Sequence, residues 1–383
     1  MRLLGIVLLA CLSLILVNSA SVGAQSSQPV KPKCGERPAF LTQPWFKLGV
    51  VCLQEAFNDP SLGELAFTAL ANAPDGTLYA ARPTAGEIVA LTDANSDGVF
   101  DSIKVVAEGL TLPNGLDYAD GALYISGGSH VYRLRDGKLD TLVDDLPSGG
   151  GFWTGGIAVA ADGRIDVATG ASCDFCASDD PMRGAILSFA PDGSDRQIVA
   201  TGLRQPADLA FQNKDLWVVD SARQGLFDTP DLDELDKVAP GANFGFPYCV
   251  GLYNTQDMSG FDCAKATTPF VVFPTASTPI GIAAYRGDSY PALEGKLLVV
   301  LGGDYNNLDL RGYQVVIVDP SAGMVTSLMP TPPDKNPNSA LTNEEMNDLG
   351  LGFFPHRPLD VAVTEQGWIY ISEGGGRILV LRP

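Results

Sequence analysis

The sequence predicts an all-β fold, a six-bladed β-propeller, and three observations carry that prediction. A strand, a tight turn and a second strand recur six times along the chain. The first copies are spaced as propeller blades are, and no long helical period interrupts them. A lone meander would leave its strand edges unpaired, whereas blades closed in a ring hide them.

The clearest copies of the repeat turn on Asp-Gly, at residues 74–80, 119–125 and 161–167. Asp-Gly suits a hairpin because Gly adopts positive φ freely and Asp bonds its own backbone. Residues 216–219, 297–300 and 369–372 complete the six. Partner strands precede several copies, at 114–118, 207–211 and 359–363, and third strands follow at 86–91, 131–134, 185–189 and 378–381. Anchored on Leu78, Leu123, Ile165, Leu216, Leu297 and Ile369, the spacings are 45, 42, 51, 81 and 72 residues. The first three are blade-sized. The two long ones require insertions, which an excursion from Cys249 to Cys263 and a Pro-rich polar stretch from Pro330 to Pro355 supply.

The chain opens with Met1-Arg2, an apolar run over 3–17 and small residues ending Val22-Gly23-Ala24, the pattern of a secretory signal peptide. The run is shorter than the ~20 residues of a membrane span. We therefore expect a signal peptide at 1–24, a segment at 25–64 that helps close the ring, and the propeller at 65–383. The protein is read as secreted or periplasmic, with no membrane span after cleavage. Of 383 residues, 45% are hydrophobic and 18% charged, a globular balance, and 45 acids against 25 bases give a net charge of -20. That charge disfavours nucleic acid and anionic membranes as partners. Leaving out Cys11, six cysteines remain, an even number in an exported chain. Proximity favours Cys34–Cys52, Cys173–Cys176 and Cys249–Cys263 among fifteen possible connectivities.

Two acidic segments have cation chemistry. Asp93, Asn95, Asp97 and Asp101 alternate around Gly98, as in a Ca2+ loop, although a solvated turn between third and fourth strands fits equally. Asp228, Asp231, Asp233, Glu234 and Asp236 crowd five acids into nine residues, a cluster that a hard cation or water must relieve. His130 and His356 are the only imidazoles.

These residues resemble the quinoprotein glucose and sorbosone dehydrogenases. The specific pieces are residues 202–211, 233–249, 311–315 and 357–361. The resemblance implies a secreted six-bladed propeller that uses pyrroloquinoline quinone (PQQ) and Ca2+ to pass hydride from a sugar C1 to the quinone, with an unidentified electron acceptor downstream. It implies that Arg204, Gln205 and Arg357 meet the quinone, and that Asp233 and Glu234 match the family's calcium-binding pair. A tricarboxylate cofactor on so acidic a chain needs such local cations.

The resemblance breaks at one place. Phe152 stands where the family has its general-base His, Ala171 where it has an assisting Asp, and Gly302-Gly303 near a cofactor-contacting Lys. His356, beside Arg357, is the imidazole with a positional claim to replace the base. Phe152 and Trp153 could instead form an aromatic face for a ring. Two further readings stay open: a non-catalytic propeller binding carbohydrate or protein, and a metal-dependent lactonase-type hydrolase using Asn114, Asp117, Asp208 and Asp360.

Overall fold

The computed structural model describes residues 33–35, 48, 51–223, 232–251, 255–256, 259–304, 311–329, 353 and 356–383. The signal-peptide reading at 1–24, Asp228, Asp231 and all of the Pro330 to Pro355 insertion except Phe353 lie outside them.

Six sheets of four or five strands follow one another in chain order, each starting with its innermost strand, and a separate two-stranded sheet pairs Cys249–Val250 with Thr255–Gln256. Blade 1 runs Leu70–Asn72, Leu78–Arg82, Glu87–Thr92, Ser102–Ala107, and blade 2 runs Pro113–Ala119, Ala122–Gly127, His130–Arg135, Lys138–Val143. Blade 3 comprises Thr154–Val159, Ile165–Thr169, Ala185–Phe189 and Gln197–Thr201, with the short Ala242–Asn243 added in parallel. Blade 4 comprises Pro206–Gln212, Asp215–Asp220, Asp233–Val238 and Val271–Phe273; blade 5 comprises Pro279–Ala284, Leu297–Leu301, Gln314–Asp319 and Met324–Met329. Blade 6 takes Pro358–Val363, Ile369–Glu373 and Arg377–Arg382 from the C-terminus, then Cys52–Asn58 from the N-terminal side as its outermost strand. The six sequence anchors all fall on second strands. No described helix is long and apolar enough to cross a membrane.

Alternation along each strand sends successive side chains to the two neighbouring blades. The core is consequently divided into six clusters, one at each blade interface. Trp217, Val219 and Leu235 face blade 5, for example, while Leu216, Val218 and Val238 face blade 3.

Around the channel the innermost strands approach so closely that glycine becomes necessary. A Cβ on Gly281 of blade 5 would lie 2.5 Å from Asp360 Oδ1 and 2.9 Å from Asp360 Cα of blade 6. Gly156 of blade 3 stands in the same relation to Asp208 of blade 4. The aspartates then bind the next blade: Asp117 accepts from Val159 N at 2.7 Å, Asp208 from Ile282 N at 2.9 Å and Asp360 from Leu70 N at 2.6 Å.

All six cysteines among the described residues are bridged, as Cys34–Cys52, Cys173–Cys176 and Cys249–Cys263. The last closes a loop of 14 residues between the third and fourth strands of blade 4. Replacing Cys249 and Cys263 together by serine is expected to cost about 3 kcal/mol, from the unfolded-chain entropy that the loop removes. Urea unfolding of the oxidised variant measures it, and an unchanged midpoint would refute it.

Candidate functional site

The innermost strands all begin at the same end of the channel, where a cavity of about 330 Å³ opens. Its walls include Asn114, Trp153, Gln205 and Arg357, with Phe152 at one side and Asp208 and Asp360 at the channel. Gly149, Gly150 and Gly151 all hold positive φ, and this turn delivers Phe152 and Trp153 to the rim. Trp153 is 47% exposed, an open aromatic surface at the mouth.

The two arginines named from sequence have different fates. Arg204 is buried and lies outside the cavity lining. Its Nε and Nη2 both bond Asp174 Oδ1, the former at 3.0 Å, its Nη1 bonds Ser221 O at 2.8 Å, and its guanidinium lies 4.3 Å from the Phe152 ring centre. Its backbone amide and that of Gln205 bond the two oxygens of Asp220 at 2.9 and 2.6 Å. Arg204 thus braces the aromatic wall from behind. Arg357 does line the cavity, and its buried Nε makes no hydrogen bond. Gly302 keeps that side chain's space open, since a Cβ there would lie 2.5 Å from Ile280 Cδ1 and 3.0 Å from Arg357 Nε.

His356 is held away from the cavity lining. Its Nδ1 lies 2.7 Å from Oε1 of Glu373, a fully buried carboxylate that also receives Arg377 Nη1 at 3.0 Å. The structure therefore brings Phe152, Trp153, Gln205 and Arg357 together and leaves Arg204 behind the wall and His356 aside.

Asp233 and Glu234 are separated by the pleat, because consecutive strand residues point to opposite faces. Asp233 is fully buried and accepts from Ala222 N and Thr278 N at 2.8 Å each. Burial pushes its pKa up to about 7 despite those amides. Glu234 shares its face with Asp236, two residues on, and is the register partner of Asp220. Neither oxygen of the fully buried Asp236 has a hydrogen-bond partner, and burial followed by the charge of Asp220 raises its pKa well above normal. Hard cations suit such an orphaned carboxylate among acids. Among the described residues no three acidic, His or Cys side chains converge closely enough to hold a metal ion, so backbone carbonyls would have to complete a shell.

The Asp93 to Asp101 turn joins the third and fourth strands of blade 1, away from the channel. Its side chains bond its own backbone: Asp93 receives Asp97 N and Gly98 N, Asn95 receives Asp97 N, Asp97 receives Val99 N, and Asp101 receives Ala94 N, at 2.7 to 3.3 Å.

Asp208 and Asp360, which the sequence suggested only for a hydrolase, line the cavity's inner end. Both are the third residue of an inner strand that opens on proline, where blades 2, 3 and 5 have Gly115, Gly156 and Gly281. That substitution in the repeat was the available signal. Burial, and then the neighbouring Asp117, raise Asp208 to about 7, while burial and the charge of Asp208 raise Asp360 well above the carboxylate range.

Residues 152–304 match the family model described as Glucose / Sorbosone dehydrogenase, and the resemblance read from the sequence stands on that match. A curated relative, an uncharacterized protein of Borreliella burgdorferi, is 25% identical over 242 residues, 57% of this chain and 64% of that protein. The chain thus spans just under two thirds of that relative's length. Among solved structures, a Trichoderma reesei member of carbohydrate-active enzyme family AA12 superposes with TM-score 0.69 at 16% identity, covering 91% of this chain and 99% of that one. The PQQ-bound aldose sugar dehydrogenase of Streptomyces coelicolor superposes with TM-score 0.57 at 19% identity, covering 88% and 99%. At these identities the likeness shows the fold. The chain is a six-bladed β-propeller, and residues 152–304 carry its likeness to the Glucose / Sorbosone dehydrogenase family.

Proposed function

We propose that the chain holds PQQ in the upper channel cavity and oxidises aldoses at C1, working outside the cytoplasm, where its three disulfides persist. The observation that carries this reading is Arg357, a cavity-lining guanidinium whose buried Nε lacks a partner, between aromatic and polar walls. A planar fork of donors is what a carboxylated ring requires. Gln205 offers an amide beside it, and Trp153 offers a face for a sugar or quinone ring. Arg204 acts through Phe152, fixing the ring that walls the site. When bound, the quinone supplies a two-electron acceptor of hydride. Calcium is assigned to the face of blade 4 that carries Glu234 and the orphaned Asp236, with Asp220 across the register.

The grip on a tricarboxylate is weaker than three cations would give, because Arg204 is engaged elsewhere and Gly302 has no side chain. A second reading, a propeller that binds a carbohydrate without turning it over, draws support from Phe152, which cannot accept a proton.

An absorbance titration of calcium-loaded protein with PQQ, followed by aldose, separates the two. Saturable binding and sugar-dependent appearance of the reduced quinone are expected. Arg357→Ala is expected to weaken binding ~10-fold or more, the loss of one charge-assisted bond. Binding without reduction by any aldose supports the second reading, and failure to bind refutes the first.

A further inference from the structure

We infer that Asp208, paired with Asp360, takes the substrate's hydroxyl proton in place of an imidazole, and that the channel below them returns it to solvent at the opposite face. This rests on the sugar-oxidation reading. Oxidising a cyclic hemiacetal breaks the C1–H bond, whose electron pair leaves with its hydrogen to the quinone-class acceptor. It also breaks the O–H bond as C=O forms, and that proton needs a base.

Elimination over the lining of the upper cavity is short. Phe152 and Trp153 are aromatic, Asn114, Gln205 and Thr68 are neutral, and Arg357 is a cation, which leaves Asp208 and Asp360 as the proton acceptors. Both are positioned rather than mobile. Asp208 Oδ2 accepts from Ile282 N at 2.9 Å; Asp360 accepts from Leu70 N at 2.6 Å and from its neighbour Val361 N at 2.7 Å. An amide occupies one lone pair of an oxygen and leaves the other for a proton.

The same two carboxylates also line a second cavity of about 490 Å³, farther along the channel. Asp117, Arg286 and Glu365 line it too, and together with Arg357 above these are the charged groups that line either cavity with the pair. Asp208 and Asp360 therefore touch both compartments, and a proton accepted from the upper one can leave through the lower. Like charges in one channel oppose double ionisation, so one member of the pair retains a proton while the other is basic. Burial, with Asp117 adding to it, brings Asp208 to about 7, where a base acts at neutral pH.

The first test needs no cofactor. An infrared titration of the protein alone should show a protonated carboxyl band persisting at pH 6, with a component that ionises near neutrality in the wild type and is missing in Asp208→Asn. Asp233 and Asp117, raised to about 7 and about 6, add to that band, so a component near neutrality of equal size in the wild type and in Asp208→Asn overturns the assignment. The second test is rapid reduction by aldose at saturating quinone. The wild-type rate should rise with pH through about 7, and Asp208→Asn, which keeps an oxygen for the Ile282 amide, should lower it about 100-fold or more. Reduction that survives in Asp208→Asn with the same pH profile overturns the assignment alone. A wild type that binds quinone and is never reduced by an aldose overturns the sugar-oxidation reading and this assignment with it.

Discussion

Alanine at position 155 is expected to break the ring between blades 3 and 4. A Cβ on Gly155 would overlap the carbonyl oxygen of Pro206 and come within 2.8 Å of the Ala207 carbonyl, both backbone atoms of the next inner strand. A flexible side chain could move aside at little cost, but these carbonyls belong to the strand that opens blade 4. Overpacking of this kind costs about 3 kcal/mol or more. Gly149→Ala is the control, since its φ of +76° penalises any side chain while nothing lies within 4 Å of the added methyl. It should cost only about 1 kcal/mol. Urea unfolding of both variants checks the pair, and equal midpoints would show that close approach of the blades is not what makes Gly155 necessary.

Raising the pH from 5 to 8 is expected to destabilise the fold. Asp117 is lifted to about 6 by burial, and Asp208 and Asp233 to about 7, chiefly by burial. A carboxyl with a raised folded pKa binds more protons folded than unfolded between its ordinary value near 3.8 and the raised one. Stability therefore falls as pH rises through that window. Each unit of difference is worth about 1.4 kcal/mol, so the three together amount to several kcal/mol, or on the order of 5 °C or more in melting temperature. The growing negative charge acts in the same direction. Asp319, held down to about 2 chiefly by its bond to Lys296, works the other way, but only below pH 4. Melting temperatures at pH 5, 6, 7 and 8 decide the matter, and a flat or rising series would contradict it. A calcium ion against Asp236 would blunt the effect of that group, so the series belongs in chelator as well as in calcium.

The sequence was most legible where one period governs the structure. Alternation along strands and Asp-Gly turns at blade spacing located all six second strands, because burial of every second residue and the turn's need for positive φ are local demands. The cysteine pairs were legible for a similar reason, their loops being short. The site was less so. Arg204 and Arg357 look alike in sequence, yet Asp174, Ser221 and Phe152 converge on one guanidinium from separate segments, and Gly302 clears room for the other.

By itself, then, the sequence determined the all-β repeat, its number of blades and the acidic charge. Only the tertiary structure decided which charges face the channel and that Asp208 and Asp360 sit between two cavities. The reason is range: strand period and turn chemistry act over a few residues, whereas a carboxylate's solvation and a guanidinium's partners depend on blades brought together from distant parts of the chain.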